Sequence, residues 1–365
     1  MAGIYISWPF CAQKCTYCNF ASGVLPRELE AEYLQALSAE IEAVVWPWTP
    51  ETVYLGGGTP SGMEPVRLAG LLALLPGRPW REATIEAAPG SFTREGVAAW
   101  REAGLNRVSL GVQSFIDKEL RRTGRRHTAA TVEADVALLR ETGIDDISVD
   151  LIAGLPGQTR AGWSESLAWV RRLDVPHVSV YMLEVDEDSR LGREMLLGGV
   201  RYGAADVPGE REIVEFYEQA VAELGLARYE ISNFARPGWE SIHNLKYWRR
   251  EPYFGFGADA HSFDGQRRWQ NEETAASYVE RWRKGLAARV EESRAVAHEE
   301  KWFVGLRLAE GVAADEEDWR RYGEALERFL ADGLLAECEG RLQLTARGIL
   351  LSNEVFEQFI TPCPS

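Results

Sequence analysis

Residues 4–18 read IYISWPFCAQKCTYC, a short β-rich run that leads directly into three clustered cysteines. Cys11, Cys15 and Cys18 supply three thiols, whereas the other two cysteines of the chain stand alone near its C-terminus. A structural zinc site takes four ligands, usually as two cysteine pairs, and no second pair exists here. Three thiolates instead leave one iron of a [4Fe-4S] cluster open to a small molecule, whereas electron-transfer clusters normally close all four irons with cysteine. A zinc site completed by a distant histidine and three unrelated buried cysteines are the alternatives.

The composition narrows the class of protein. With 365 residues, 45% of them hydrophobic, the chain can bury a large core and is long enough for two domains. A net charge of -16 argues against a general nucleic-acid-binding protein, because phosphate binding needs a basic surface. Five cysteines indicate reduced thiols and a cytoplasmic location, and Cys338 and Cys363 are interpreted as free thiols without a role. Residues 1–10 lack the features of a signal peptide, and the longest apolar stretch, residues 68–75, is too short for a transmembrane segment.

Short β-rich runs alternate with helical patterns along the first half of the chain. Tyr33, Leu37, Ile41 and Val45 show the helical spacing, since an apolar residue recurs every four positions. Six strand-helix units in succession predict an α/β fold with a parallel sheet and right-handed crossovers, whose simplest closure is a partial (β/α)6 barrel of the TIM type. The predicted strands lie at residues 4–6, 52–55, 83–86, 107–110, 147–151 and 177–181.

Unusual residues occur where these predicted strands end, which is where the chemistry of such barrels lies. The second strand ends in residues 56–59 (GGGT), whose glycines let the backbone approach a ligand and leave its N–H groups free. Polar side chains mark the next three strands: Glu86, Gln113 and Asp150. Each of them alone is as often a capping or loop residue, but their recurrence in register predicts one shared site.

The CxxxCxxC pattern, with Tyr17 before its last cysteine, resembles the signature of the radical S-adenosylmethionine (radical SAM) superfamily. The resemblance implies a [4Fe-4S] cluster held by Cys11, Cys15 and Cys18, with SAM chelated to the open iron. It also implies cleavage of SAM to a 5′-deoxyadenosyl radical, with the protein supplying position and the exclusion of side reactions.

Further segments narrow the resemblance to the family of oxygen-independent coproporphyrinogen III oxidase (HemN). They are Tyr5 six residues before the first cysteine, residues 109–115 (SLGVQSF), Arg125, and residues 150–156 (DLIAGLP). Asp150 suits ribose hydroxyls, and Arg125 suits a carboxylate. By this similarity, the residues assigned to the SAM on the cluster are Tyr5, Tyr17, Gly57, Gly58, Thr59 and Glu86. Those that match positions holding a second SAM in the oxidase are Gln113, Arg125, Asp150 and Glu184.

Two departures separate the chain from the oxidase itself. The oxidase has a further cysteine where this chain has Phe20, and it has a long extension where this chain has four residues before Tyr5. What remains resembles the heme-chaperone (HemW) branch of the family. Residues 243–248 (HNLKYW) match the HNxxYW motif of that branch, whose histidine is implicated in heme binding.

The same motif suits heme by its own chemistry. His243 offers an axial nitrogen, and Tyr247 and Trp248 offer flat apolar area against a porphyrin. Arg249 and Arg250 could pair with the propionates. The alternative is a helix that packs between domains and has a hydrogen-bonded histidine.

The second half is interpreted as a smaller α+β domain of the HemN/HemW type. We place the cluster-bearing barrel in residues 1–205 and the C-terminal domain in residues 206–365. Helical patterns at 302–308 and 322–335, followed by a strand at 342–345, resemble a winged helix at about 300–360, and its acidic surroundings argue against DNA binding. The glycine-rich turn before His261 resembles one that reaches the adenosine of the first SAM, with a structural loop as the alternative.

Three functions stay open. The resemblance favours a heme chaperone, dependent on SAM and the cluster and without coproporphyrinogen III oxidase activity, that uses an electron donor and passes heme to hemoproteins such as membrane respiratory proteins. The second is a radical SAM enzyme that acts on a tetrapyrrole by oxidative decarboxylation or radical methylation. The third is a non-catalytic iron-sulfur scaffold.

Overall fold

Six parallel strands that follow one another in chain order form the centre of the protein, as the sequence predicts. The computed structural model describes residues 2–360, apart from the side chain of Tyr202, so Cys363 lies outside the described residues. The strands are β1 (Ala2–Trp8), β2 (Pro50–Gly57), β3 (Glu82–Ala87), β4 (Arg107–Gln113), β5 (Asp146–Ala153) and β6 (His177–Met182). The helices between them are α1 (Arg27–Glu42), α2 (Pro65–Ala73), α3 (Arg94–Glu102), α4 (Asp117–Arg122), α5 (Ala129–Glu141) and α6 (Arg160–Leu173).

Apolar and polar side chains alternate along the strands, so the two faces of this sheet differ. Ile147 and Val149 of β5 are fully buried in one apolar cluster with residues of the flanking helices. Ser148 and Asp150, between and after them, point to the inner face, where Asp150 accepts a hydrogen bond from Ser109 of β4 at 3.0 Å. Barrel interiors are usually packed with branched apolar side chains, so this polar inner face leaves room for a polar ligand.

Strands from the second half of the chain extend the same sheet at both edges. One group continues from β1, to which its first strand pairs in parallel, and the other continues from β6 in antiparallel pairing. Within the described residues β1 and β6 do not pair with each other, so the barrel stays open. The domain boundary at residue 205 stays a prediction. The edge strands are β7 (Ala227–Arg228), β8 (Asn233–Ala235), β9 (Tyr253–Phe256), β10 (His261–Phe263), β11 (Arg267–Asn271) and β12 (Arg289–Arg294).

The C-terminal part has the helices and hairpin of a winged helix. Its long helix is capped by Asp315, whose side chain accepts hydrogen bonds from two backbone N–H groups of the first turn. The wing is the antiparallel pair β13 (Leu335–Cys338) and β14 (Arg341–Leu344). Nowhere in residues 2–360 is there a helix with both the length and the apolar character needed to cross a bilayer. The helices of the second half are α7 (Arg190–Leu196), α8 (Glu210–Glu223), α9 (Ile242–Trp248), α10 (Ala275–Arg283), α11 (Ala297–Phe303), α12 (Glu316–Ala331), α13 (Ala346–Leu350) and α14 (Ser352–Glu357).

Two helices end earlier than their apolar patterns predict. Helix α1 ends at Glu42, and Val45 beyond it is exposed. The helix could not continue far in any case, because Pro47 disfavours helical backbone in the residue that precedes it. Helix α12 ends before Gly333, which adopts a left-handed φ of 67°. Leu335 therefore begins the wing instead of ending the helix.

Helix α9 closes the N-terminal end of the barrel. The Glu82 carboxylate at the start of β3 accepts hydrogen bonds from Ile242 N (2.6 Å), His243 N (2.9 Å) and Ser241 Oγ (3.1 Å). A carboxylate at a helix N-terminus stabilises the helix, because it meets the positive end of the helix dipole. The His243 ring lies so close to β1 that a Cβ atom on Gly3 would come within 3.2 Å of it.

Candidate functional site

A cavity of about 650 Å³ opens at the C-terminal ends of the barrel strands. Its size suits a small-molecule cofactor. The cysteine loop, the turn after β2 and the ends of β3, β4, β5 and β6 form its wall, as the sequence predicts. The predicted site residues on this wall are Cys11, Cys15, Tyr17, Cys18, Gly57, Gly58, Thr59, Glu86, Gln113, Arg125, Asp150 and Glu184.

The three cysteines lie on one loop, with free and half-buried thiols. Burial raises the pKa of the Cys11 thiol, and hydrogen bonding by Thr59 and Ser22 acts in the opposite direction. The loop is anchored by Thr16 N, which donates to Thr123 O at 3.2 Å. In the described part of the chain no three His, Cys, Asp or Glu side chains already stand at metal-binding distance. Three thiols on one loop at a cavity wall are nevertheless the donor set that a [4Fe-4S] cluster with one open iron takes.

The glycine turn packs tightly against β1. Gly57 has a left-handed φ of 102°, and a Cβ atom on Gly58 would lie 2.7 Å from Trp8 O. The prediction that the N–H groups of this turn are free is wrong, because each of them is satisfied within the protein. The bonds are Gly57 N to Glu86 Oε2 (3.1 Å), Gly58 N to Trp8 O (2.8 Å) and Thr59 N to Phe10 O (2.9 Å).

Two carboxylates from neighbouring parts of the sheet face the cavity. Tyr54 OH donates to Glu86 Oε1 at 3.0 Å, and Ser109 Oγ donates to Asp150 at 3.0 Å. Burial raises the pKa of Glu86 to about 7, the charge of Asp150 acts in the same direction, and the bonds from Tyr54 and Gly57 oppose both. Burial also raises the pKa of Asp150. The charge of Glu86 therefore changes close to neutral pH.

The wall beyond β4 carries a strained glutamine, Arg125 and His127. Gln113 has a φ of 70°, a value that residues other than glycine rarely adopt. Residues with such a backbone conformation are common at functional sites. Arg125 Nη1 donates to Gly111 O at 2.5 Å. His127 lies in the same loop and lines the cavity, with its Nε2 3.0 Å from Val112 O.

The predicted heme ligand His243 lies at the other end of the barrel and is 1% exposed. Its Nδ1 lies 2.9 Å from Thr52 Oγ1, and its Nε2 lies 2.7 Å from Tyr247 OH, so both ring nitrogens are engaged. Burial, with the charges of Lys246 and Arg107, lowers the pKa of His243 to about 3, so the ring is neutral at physiological pH. The assignment of His243 as a heme ligand stays a prediction. It requires one ring nitrogen to lose its hydrogen bond and to bind the heme iron instead.

The remaining predicted residues also lie outside the cavity wall. The Tyr5 ring stacks on Tyr54 with centroids 6.1 Å apart, and Tyr54 stacks on His243 at 5.3 Å, so these rings join the floor of the cavity to α9. Trp248 is half-buried near the end of α9. His261 is exposed on β10.

Sequence reasoning missed Tyr54, Ser109 and His127. Tyr54 and Ser109 lie two residues before Gly56 and Gly111, on the face of the strand that points inward. The period of two along a strand would have identified both. His127 lies in a loop without a periodic pattern, so only the tertiary structure places it on the cavity wall.

Comparison with known proteins agrees with this architecture. Residues 5–170 match the radical SAM superfamily and residues 293–351 match the HemN C-terminal domain. The chain is 35% identical to heme chaperone HemW of Bacillus subtilis over 99% of both chains, and 30% identical to that of Escherichia coli over 98% of this chain and 97% of the relative. The structure of coproporphyrinogen III oxidase (HemN) from Escherichia coli matches with a TM-score of 0.82 at 20% identity, over 98% of this chain and 89% of that one. At that identity the structural likeness shows the fold.

Proposed function

Because the chain belongs to the HemW family within the radical SAM superfamily, we propose that it is a heme chaperone that works with a [4Fe-4S] cluster and SAM. It takes up heme in the cytoplasm, receives electrons from a donor protein, and passes the heme to hemoproteins such as respiratory cytochromes. The names of the relatives support the heme part of this proposal. The observation that carries the cofactor part is that three thiols, a glycine turn and two carboxylates line one cavity.

We assign the cluster to Cys11, Cys15 and Cys18. When bound, it supplies the electron that cleaves SAM, a reaction of the cofactor for which the protein provides binding and orientation. The SAM on the cluster would contact the turn at Gly57 and the carboxylate of Glu86, with the other assigned wall residues Tyr17, Gly58 and Thr59. The assignments of Tyr5 and His261 to this SAM stay predictions, since both residues lie outside the cavity wall. A second SAM or the cargo would contact Gln113, Arg125, Asp150 and Glu184.

The orientation of the carboxylates supports this assignment. Both oxygens of Glu86 accept hydrogen bonds from the protein, and Ser109 holds Asp150 in the same way. Each carboxylate therefore faces a ligand in a fixed position, with lone pairs left for hydroxyl or ammonium donors.

Heme transfer under anaerobic conditions tests the proposal. We expect reconstituted protein to bind about four iron per chain and, when loaded with heme and given SAM and a reductant, to transfer heme to an apo-cytochrome. Cys15→Ala should lose the iron and the transfer, because the remaining two thiols cannot hold the cluster. Cys338→Ser changes an exposed thiol on β13 and should behave like the wild type.

The same preparation, given coproporphyrinogen III in place of heme, separates the chaperone from an enzyme. Conversion to protoporphyrinogen IX at an enzymatic rate would contradict the chaperone proposal. Zinc in place of iron after reconstitution would contradict the cluster assignment.

A further inference from the structure

Of the five histidines of the chain, one lies on the wall of the cluster cavity. His177 and His243 are buried and have both ring nitrogens hydrogen-bonded. His261 is exposed and His298 is half-buried, and neither lines the cavity. His127 alone combines a position in the cavity with partial burial.

The hydrogen bonding of His127 leaves one ring nitrogen for a ligand. Its Nε2 faces Val112 O at 3.0 Å, and since a carbonyl only accepts, this nitrogen carries the proton. The lone pair therefore stays on Nδ1, for which the described residues provide no partner. Burial, with the charge of Arg125, lowers the pKa of His127 to about 4. The neutral imidazole that binds iron is thus present at pH 7.

The loop of His127 is held against the cysteine loop. Thr16 N donates to Thr123 O at 3.2 Å, and the side chain of Gln13 donates to Gly124 O. The imidazole and the cluster thiols consequently share one rim of the cavity, so a ligand bound at His127 would lie beside the SAM site.

The wall of the same cavity also has the surface that a porphyrin needs. Phe20 is 66% exposed and Tyr181 is 43% exposed, and both line the cavity. Exposed aromatic rings at a cavity mouth offer flat apolar area to a macrocycle. Arg126 is exposed on the same wall. Lys14 of the cysteine loop also lines the cavity and donates to Phe20 O at 3.0 Å. Their cationic groups suit carboxylates such as the propionates.

We propose that heme binds at the mouth of the cluster cavity with His127 as the axial ligand of the iron. Phe20 and Tyr181 contact the macrocycle, and Arg126 pairs with a propionate. This proposal rests on the proposed heme-chaperone function. It gives the iron a ligand on the cavity wall, whereas both ring nitrogens of the buried His243 are already hydrogen-bonded.

Heme titration of cluster-loaded protein, followed by the Soret band, tests the proposal. We expect His127→Ala to shift the Soret band and weaken heme binding by about tenfold or more, a loss of roughly 1.4 kcal/mol. His298→Ala, which changes a half-buried histidine outside the cavity, is the matched control. Added imidazole should restore the Soret band of His127→Ala, which a loss of packing alone would not allow. Arg126→Gln should weaken binding with an unchanged Soret position.

Iron content and SAM affinity show whether each variant is folded. An unchanged Soret band in folded His127→Ala, together with its loss in His243→Ala, would overturn the proposal and move the heme to α9. Absence of heme binding by the wild type would instead contradict the proposed function itself.

Discussion

Among single residues, Glu86 is a buried carboxylate whose ionised form is favoured by two hydrogen bonds. Tyr54 OH and Gly57 N each donate to one of its oxygens, and burial holds its pKa at about 7, above the usual value for a glutamate. A hydrogen bond to a carboxylate favours its ionised form. Loss of the Tyr54 hydroxyl must therefore raise the pKa of Glu86 further.

We expect Tyr54→Phe to weaken SAM binding at pH 7 by about fivefold, the effect of roughly one hydrogen bond. SAM affinity should rise with pH through the pKa of Glu86, because hydroxyl and ammonium donors need the ionised carboxylate, and the midpoint should lie higher in the variant. The phenyl ring keeps the stacking on Tyr5 and His243. Anaerobic calorimetry between about pH 6 and 9 measures this, with Tyr322→Phe in the C-terminal part as the control. Identical pH profiles for Tyr54→Phe and the wild type would contradict the role of Tyr54.

At the scale of elements, α9 depends on one carboxylate of the barrel. The helix has seven residues, too few to be stable by itself in water. Glu82 accepts hydrogen bonds from two backbone N–H groups and from Ser241 at its start, so the barrel supplies the cap that the helix needs. Glu82 at the start of β3 therefore fixes the position of the helix that contains the HNxxYW motif.

Replacing Glu82 with glutamine removes the charge but keeps the shape. We expect Glu82→Gln to lower the free energy of unfolding by about 1–3 kcal/mol, because hydrogen bonds to a charged group are replaced by weaker ones. Amide hydrogen exchange in α9 should become faster than in α6. Glu240→Gln, which changes a carboxylate bonded to Gly238 N in the preceding loop, serves as the control. Equal exchange rates in Glu82→Gln and the wild type would show that α9 is held by other contacts.

At the scale of the whole molecule, one sheet crosses the domain boundary predicted at residue 205. Residues 3–6 of β1 pair with residues 253–256 of β9, and β6 pairs with β8. Both edges of the six-stranded barrel are thus covered by the second half, and an uncovered edge exposes backbone groups that pair with other chains.

A fragment of residues 1–205 should consequently be insoluble or unfold without cooperativity, since it has two bare edges and an unfilled barrel end. Coexpression with residues 206–365 should restore soluble protein with about four iron per chain. Circular dichroism during thermal unfolding and iron analysis measure both outcomes. A soluble fragment 1–205 that unfolds cooperatively and keeps its cluster would show that the barrel is an independent domain.

The sequence by itself determined the alternation of strands and helices, the loop of three cysteines, and which strand-end residues line one cavity. These features depend on patterns among residues that are close in sequence. Examples are the spacing of Cys11, Cys15 and Cys18 and the period of two along β5. In a repeating strand-helix fold the C-terminal ends of the strands meet at one edge of the sheet. The prediction that Glu86, Gln113 and Asp150 lie together at this edge agrees with their positions on the cavity wall.

Only the tertiary structure decided which donors and acceptors are already satisfied. His243 is bonded to Thr52, 191 residues away in sequence, and the N–H of Gly57 is bonded to Glu86 on another strand. A hydrogen bond between distant segments leaves no pattern in either one, and burial sets the charge of each group as strongly as its chemistry does. For that reason the sequence predicts His243 as the heme ligand, an assignment that stays a prediction, whereas the position of His127 on the cavity wall is visible only in the folded chain.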